Sequence, residues 1–135
     1  MSPSVERVYT KPLIDKLGVR PDSRVALIGN FAADFRSMLD ERTGAVEDGV
    51  PKESVDLVFL STDSLDDLVQ LHELRDKIVS NGAVWIVSRK GKQATIRDTD
   101  VIAASIDAGL VDNKVVSFSD THTALRAVIR VRDRK

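Results

Sequence analysis

Three short polar clusters, each directly after an apolar run, carry the residue types that hold a small ligand in this 135-residue chain. They are Gly29-Asn30-Phe31-Ala32-Ala33-Asp34, Ser61-Thr62-Asp63 and Arg89-Lys90-Gly91-Lys92. Asn30, Asp34, Ser61, Thr62 and Asp63 offer amide, hydroxyl and carboxylate groups that exchange hydrogen bonds with ligand hydroxyls. Arg89, Lys90 and Lys92 offer positive charge to an anion. Gly29 closes the run Val25-Ala-Leu-Ile-Gly, which opens like a nucleotide-binding strand. In such strands a G-x-G-x-x-G turn lets the backbone approach a phosphate or nucleoside closely. Here one glycine remains, and Phe31 stands where the ligand would lie. The chemistry expected is binding of a small anionic or nucleoside-like molecule. The same residues also have a plain structural use, since strand ends in an open α/β sheet are polar and Asp63 and Ser64 cap a following helix.

The other reactive side chains point to no reaction. Glu47 and Asp48 fall about 20 positions after Gly29, where an acid binds ribose in dinucleotide folds. The apolar strand that should deliver them is only Ala45-Val46. His72 falls on the apolar face of a helix and is expected to be partly buried and hydrogen-bonded to a strand. His122, beside Asp120 and Thr121 in a turn, is expected to be exposed and able to act as a base. It has no second ligand at metal-binding spacing and no nucleophile motif nearby. No catalytic residue and no metal site are assigned.

Composition narrows the class. The chain is 42% hydrophobic and 30% charged, in the range of globular proteins, and its length suits one domain spanning 1–135. With 20 basic and 21 acidic residues the net charge is −1, so no global field draws nucleic acid or an anionic membrane. No cysteine is present, which excludes disulfides, thiolate ligands and cysteine nucleophiles. Met1–Arg7 shows no apolar leader, and no run approaches the roughly 20 residues of a membrane helix. A soluble, cytoplasmic domain is expected.

The elements that must position the clusters follow from the apolar pattern. Arg24–Gly29, Val55–Ser61 and Ala83–Ser88 are non-alternating apolar runs, as in strands covered on both faces. Helices are expected over Pro12–Leu17, Phe31–Glu41, Leu65–Ser80 and Asp100–Ala108. Leu65–Ser80 would have Ser64 as its N-cap and Asn81-Gly82 as its stop. Lys114–Ser119 and Ala124–Arg132 alternate around the turn Asp120–Thr123 and read as an antiparallel hairpin. Along the second of these strands Arg126, Arg130 and Arg132, continued by Arg134-Lys135, form a basic stripe. With aromatics at only 4%, none interleaved there to stack bases, a nucleic-acid role is not expected. Trp85 is expected in the core, between the sheet and helix Leu65–Ser80.

This order resembles the tail of the class I methyltransferase fold. Val55-Asp-Leu-Val-Phe-Leu60 is similar to that family's fourth strand. Leu74-Arg-Asp-Lys-Ile-Val-Ser-Asn-Gly-Ala-Val-Trp-Ile86 is similar to its next helix, Gly turn and fifth strand. More closely, the chain resembles a bacterial family of short, methyltransferase-like proteins known only as a domain of unknown function. The resemblance rests on Lys11–Pro21, the Val-Ala-Leu strand, the basic turn after the Trp-containing strand, Ala94-Thr95 and Gly109–Asp112. It implies a Rossmann-like three-layer α/β sandwich of about five strands, mostly parallel, with a reversed C-terminal β-hairpin. Relative to the full methyltransferase a strand–helix–strand piece appears deleted, because only Thr43–Pro51 is available for it. The glycine-rich loop for S-adenosylmethionine is not reproduced in Gly29–Asp34. The function expected is therefore a non-catalytic ligand-sensing or protein-interaction domain without a cofactor. The alternative is a small-molecule S-adenosylmethionine-dependent methyltransferase with an atypical cofactor loop. The shortened sheet should leave apolar surface uncovered, and a homodimer is expected to cover it.

Overall fold

The computed structural model describes residues 11–134. The readings of Met1–Arg7 and of Lys135 lie outside them. Helix α1 (Leu13–Lys16) leads into strand β1 (Arg24–Ile28), helix α2 (Ala33–Arg42) and strand β2 (Ala45–Asp48). Strand β3 (Val55–Ser61) follows directly. A helical stretch comes next, made of a 3-10 turn (Asp66–Gln70), α3 (Leu71–Leu74) and another 3-10 turn (Arg75–Lys77). Strand β4 (Ile78–Arg89) and α4 (Asp98–Asp107) precede the closing pair, β5 (Leu110–Ser117) and β6 (His122–Ile129). The six strands make one sheet in the order β2-β1-β3-β4-β6-β5. β2, β1, β3 and β4 run parallel, and β6 is antiparallel to both β4 and β5. The expected α/β architecture with a reversed terminal hairpin is what forms.

Both faces of the central strands are buried, which is why their sequences do not alternate. One face of β1, β3 and β4 presents Ala26, Val58, Leu60, Val84 and Ile86 to Leu68, Leu71, Leu74 and Val101. The other presents Val25, Leu27, Leu57, Phe59 and Trp85 to Ile14, Leu17, Phe35 and Leu39. Trp85 is fully buried, but on the face opposite the one expected. It packs beside α1 rather than the 65–77 helical stretch, and its indole Nε1 donates to the Leu17 carbonyl at 3.1 Å.

Four other expectations are corrected. The helix expected over Leu65–Ser80 is a broken helical stretch ending at Lys77. Val79 to Gly82 belong to β4, so Asn81-Gly82 stops nothing. Gly82 is there because a Cβ would stand 2.6 Å from the Asp56 carbonyl oxygen, where the ladder with β3 shifts register. Second, the sheet has six strands rather than about five. β2 is only four residues long but pairs in parallel register with β1, from Arg24↔Ala45 to Leu27↔Asp48. The piece absent relative to the resemblance therefore lies after β2, where residues 49–54 join it to β3 without a helix or strand. Third, His72 is exposed, and its Nε2 lies 2.9 Å from Asp107 Oδ2 on α4, so it faces a helix and not a strand. Fourth, the arginine stripe is broken. β6 ends at Ile129, and both its faces are buried, Leu125 and Ala127 on one side, Ala124 and Val128 on the other. Arg126 alone lies within the strand; Arg130 follows it and Arg132 sits in a 3-10 turn (Val131–Asp133).

Candidate functional site

In an open parallel sheet the strand order reverses between β1 and β3, and the crevice outside their carboxyl ends is where ligands bind. Gly29 ends β1 there with φ +99°, and a Cβ on it would meet the Ser61 carbonyl oxygen at 2.6 Å. Two strand ends are thus drawn together by a residue that only glycine satisfies. Phe31 and Ala32 then lead into α2, whose first turn carries Asp34. An acid at that point complements the positive end of the helix.

A cleft of about 400 Å³ opens beside this turn, within the size range of small-molecule sites. Leu13 of α1, Phe31, Phe35 and Met38 around α2, Val87 at the end of β4 and Phe118 after β5 give it an apolar wall. Asn30, Asp34, Ser61, Ser119, Thr121 and His122 supply its polar groups. The chain's four phenylalanines form one cluster in this region. Phe35 stands 5.4 Å from Phe31, 5.4 Å from Phe59 and 4.8 Å from Phe118, ring centre to ring centre. Phe31 also meets Phe59 and Phe118 edge-on, at 6.5 and 6.3 Å. Offset and edge contacts of this kind fix ring orientation beyond what area burial does. His122 is half-buried, and its Nδ1 lies 2.7 Å from Thr121 Oγ1, which orients the imidazole.

The candidates from sequence divide into two groups. Asn30, Asp34 and Ser61 line the cleft, and Gly29 lines an adjoining recess with Asn30, Phe31, Arg36 and Asp48. Thr62, Asp63, Arg89, Lys90 and Lys92 line neither. Thr62 is buried and its hydroxyl donates to Asp67 Oδ2 at 3.1 Å. Asp63 accepts the Arg89 backbone N–H at 2.8 Å and faces the Arg89 guanidinium at 3.8 Å. The Thr95 hydroxyl donates to the Asp63 carbonyl. Lys90 Nζ donates to Ser117 Oγ at 2.7 Å, so this lysine ties the basic turn to β5. Lys92 is exposed in the 3-10 turn Gly91–Gln93.

Asp48 is better placed than its short apolar lead suggests. It ends β2 in register with Leu27, beside the Gly29 turn. Its two carboxylate oxygens accept from Arg36 Nη1 at 2.9 and 3.0 Å, and this pairing raises the Arg36 guanidinium above its ordinary range. Leu13, Met38, Phe118 and Ser119 lacked any local signal in the sequence, because only the fold brings them to the same crevice. Among the described residues no group of histidines and carboxylates is arranged to hold a metal ion, and no helix is long and apolar enough to cross a membrane.

This sheet order, and a crevice bounded by β1, β3 and the terminal hairpin, define a Rossmann-like α/β protein of methyltransferase-like fold. Within that class the chain belongs to the family of proteins of unknown function DUF3052, which its residues 14–131 match. No curated protein matches its sequence. Solved structures similar in fold include an S-adenosylmethionine-dependent methyltransferase from Aquifex aeolicus, with TM-score 0.64 and 14% identity over 87% of this chain and 88% of that one. Fibrillarin from Aeropyrum pernix, in complex with natively bound S-adenosylmethionine, gives TM-score 0.56 and 14% identity over 83% and 69% of the two chains. An O-methyltransferase family protein from Burkholderia thailandensis gives 0.63 and 12% over 87% and 54%. The chain spans about half the length of several O-methyltransferases that it matches.

Proposed function

We propose that this protein is a non-catalytic domain that binds a small nucleoside-like molecule in the cleft at the carboxyl rim of the sheet. The observation that carries the reading is the cleft wall itself. Phe31, Phe35 and Phe118 present apolar surface to a planar ring, while Asn30, Asp34 and Ser61 offer hydrogen bonds at the same opening. An apolar wall with a few convergent polar groups is the usual composition of a small-molecule site. Arg89 and Lys90 are engaged with Asp63 and Ser117, which favours an uncharged ligand at this rim over an anionic one.

S-adenosylmethionine fits these residues poorly. Phe31 occupies the turn that glycines keep open in the methyltransferase loop, and it is fixed there by three other rings. Asp48, the acid nearest the ribose position, is paired with Arg36, whose Nη1 lies within 3.0 Å of both its carboxylate oxygens. A thermal-shift series with S-adenosylmethionine, S-adenosylhomocysteine, adenosine and related nucleosides tests the reading. A ligand at 100 times its dissociation constant stabilises the fold by about 2.7 kcal/mol, a readily measured rise in melting temperature. Nucleosides are expected to produce a saturable rise and S-adenosylmethionine none below millimolar concentration. A saturable rise with S-adenosylmethionine supports the alternative instead, a methyltransferase with an atypical loop. That alternative draws on Asp48, which needs only to exchange Arg36 for ribose hydroxyls.

The interaction half of the reading rests on Leu65, Val69 and Ile106, large apolar side chains that stand exposed. Leu65 and Val69 border a shallow depression between the 65–77 helical stretch and α4. Self-association through this surface is expected, measured by light scattering as a mass twice that of one chain at tens of micromolar. A single-chain mass unchanged on dilution refutes it.

A further inference from the structure

The amino rim of the sheet, opposite the phenylalanine cleft, holds a second cavity of about 490 Å³ framed by Arg20, Arg24 and Arg126 with Asp22, Asp56 and Asn81. Its three guanidinium groups are in different electrostatic situations. Arg24 is compensated, since its backbone N–H donates to Asp56 Oδ2 at 2.8 Å and its Nε lies 3.5 Å from the same oxygen. Arg20 lies 3.9 Å from Asp22, with both side chains largely exposed. Arg126 has no acid. It is half-buried in β6, opposite Trp85 on one side and Lys114 on the other. Among the described residues its hydrogen-bond partner is the neutral Asn113 Oδ1 at 3.3 Å.

Taking a guanidinium out of water without a counter-charge is costly, and proteins resolve that cost with a paired anion. At Arg126 burial and the neighbouring Arg134 charge both push the guanidinium below its ordinary range, and among the described residues no carboxylate pulls the other way. We propose that Arg126 anchors a binding site for the phosphoryl group of a small phosphorylated molecule, with Arg20 and Arg24 at its sides. The guanidinium fork of Arg126 matches two oxygens of a tetrahedral anion at once, and because Asp22 and Asp56 offset Arg20 and Arg24, Arg126 is the cavity's uncompensated charge. Asn81 supplies a neutral amide to the remaining oxygens or to the group that the phosphate is attached to. The site lies at the opposite rim from the proposed nucleoside cleft and stands independently of it.

Isothermal titration with inorganic phosphate and with pyrophosphate, at ionic strength held constant with chloride, tests the assignment on the full chain. Saturable binding is expected, with pyrophosphate the tighter. Arg126→Gln is expected to weaken it about 10- to 100-fold, the range for one charge-assisted hydrogen-bond pair. Arg126→Lys keeps the charge and loses the fork. It is expected to bind with intermediate affinity, and it serves as the readout if the glutamine variant does not fold. A Lys92→Gln change, on the exposed turn at the other rim, is expected to leave phosphate binding unaltered. No saturable heat with either anion, or equal affinity in wild type and both Arg126 variants, overturns the site. Binding seen only with a short oligonucleotide, falling steeply with salt, overturns it in favour of a nucleic-acid backbone.

Discussion

Trp85→Ala is expected to remove about 3–5 kcal/mol of stability, the usual cost of deleting a large buried aromatic side chain. A domain of ordinary stability has only about 5–15 kcal/mol in total, so the variant should be marginal at room temperature. Two effects combine. The indole is fully buried in a cluster with Leu17, Val19, Phe59 and Val87, and its loss leaves a cavity under α1. The Leu17 carbonyl also loses its donor, the indole Nε1 at 3.1 Å. Trp85→Phe falls between wild type and the alanine variant, since it keeps one aromatic ring in the cluster while removing the N–H and the rest of the indole. It is expected to cost about 1–3 kcal/mol, the penalty of one unsatisfied buried acceptor. Urea unfolding of both variants measures the difference. An alanine variant that unfolds at the wild-type midpoint contradicts the central position of β4.

Gly29→Ala is the second large effect, expected at about 2–4 kcal/mol from left-handed backbone and steric overlap together. The residue holds φ at +99°, and an added Cβ would press on the Ser61 carbonyl oxygen at 2.6 Å and on the Ser61 Cβ at 3.2 Å. Gly18 is the natural control. Its φ is +74°, but nothing lies within 4 Å of the Cβ it lacks. Gly18→Ala therefore suffers only the backbone penalty, about 1–2 kcal/mol. Unfolding curves for the pair isolate the steric part. If the two substitutions cost the same, the β1 and β3 ends are not held against each other.

Strands buried on both faces were legible because they need continuous apolar sequence. Val55–Ser61 has the bounds that its sequence suggests, and Arg24–Gly29 differs from β1 by one residue. What failed was decided by pairing. β2 has only Ala45 and Val46 as apolar residues, and it exists because the edge of β1 offers it a ladder. Asn81-Gly82 looks like a helix stop, yet β4 runs through it because Ile78, ahead of the apolar run that begins at Ala83, already pairs with Val55. The candidate site divides the same way. Asn30 and Asp34 lie in the turn and helix start after β1, and Ser61 ends β3, so sheet topology alone brings them to one rim. Phe118 and Ser119 reach the cleft through the hairpin, which no local pattern announces. Arg126 reads in the sequence as one member of a basic stripe, because alternation cannot show that β6 is covered on both faces.

The place of β6 between β4 and β5 has a consequence for how the molecule comes into being. A ribosome releases β4 and β5 first, but neither can complete its ladder until His122–Ile129 has emerged, because the two touch only through that strand. Until then the nascent chain carries an open edge at its most apolar strand, the condition that favours mispairing with a neighbour. Cooperative closure of the sheet therefore waits for β6, the last of its strands to emerge. Both proposed pockets share this timing, since His122 borders one and Arg126 the other. A chain ending before residue 122 would have every residue of β1 yet lack His122 and Arg126, leaving one lining residue missing from each proposed pocket.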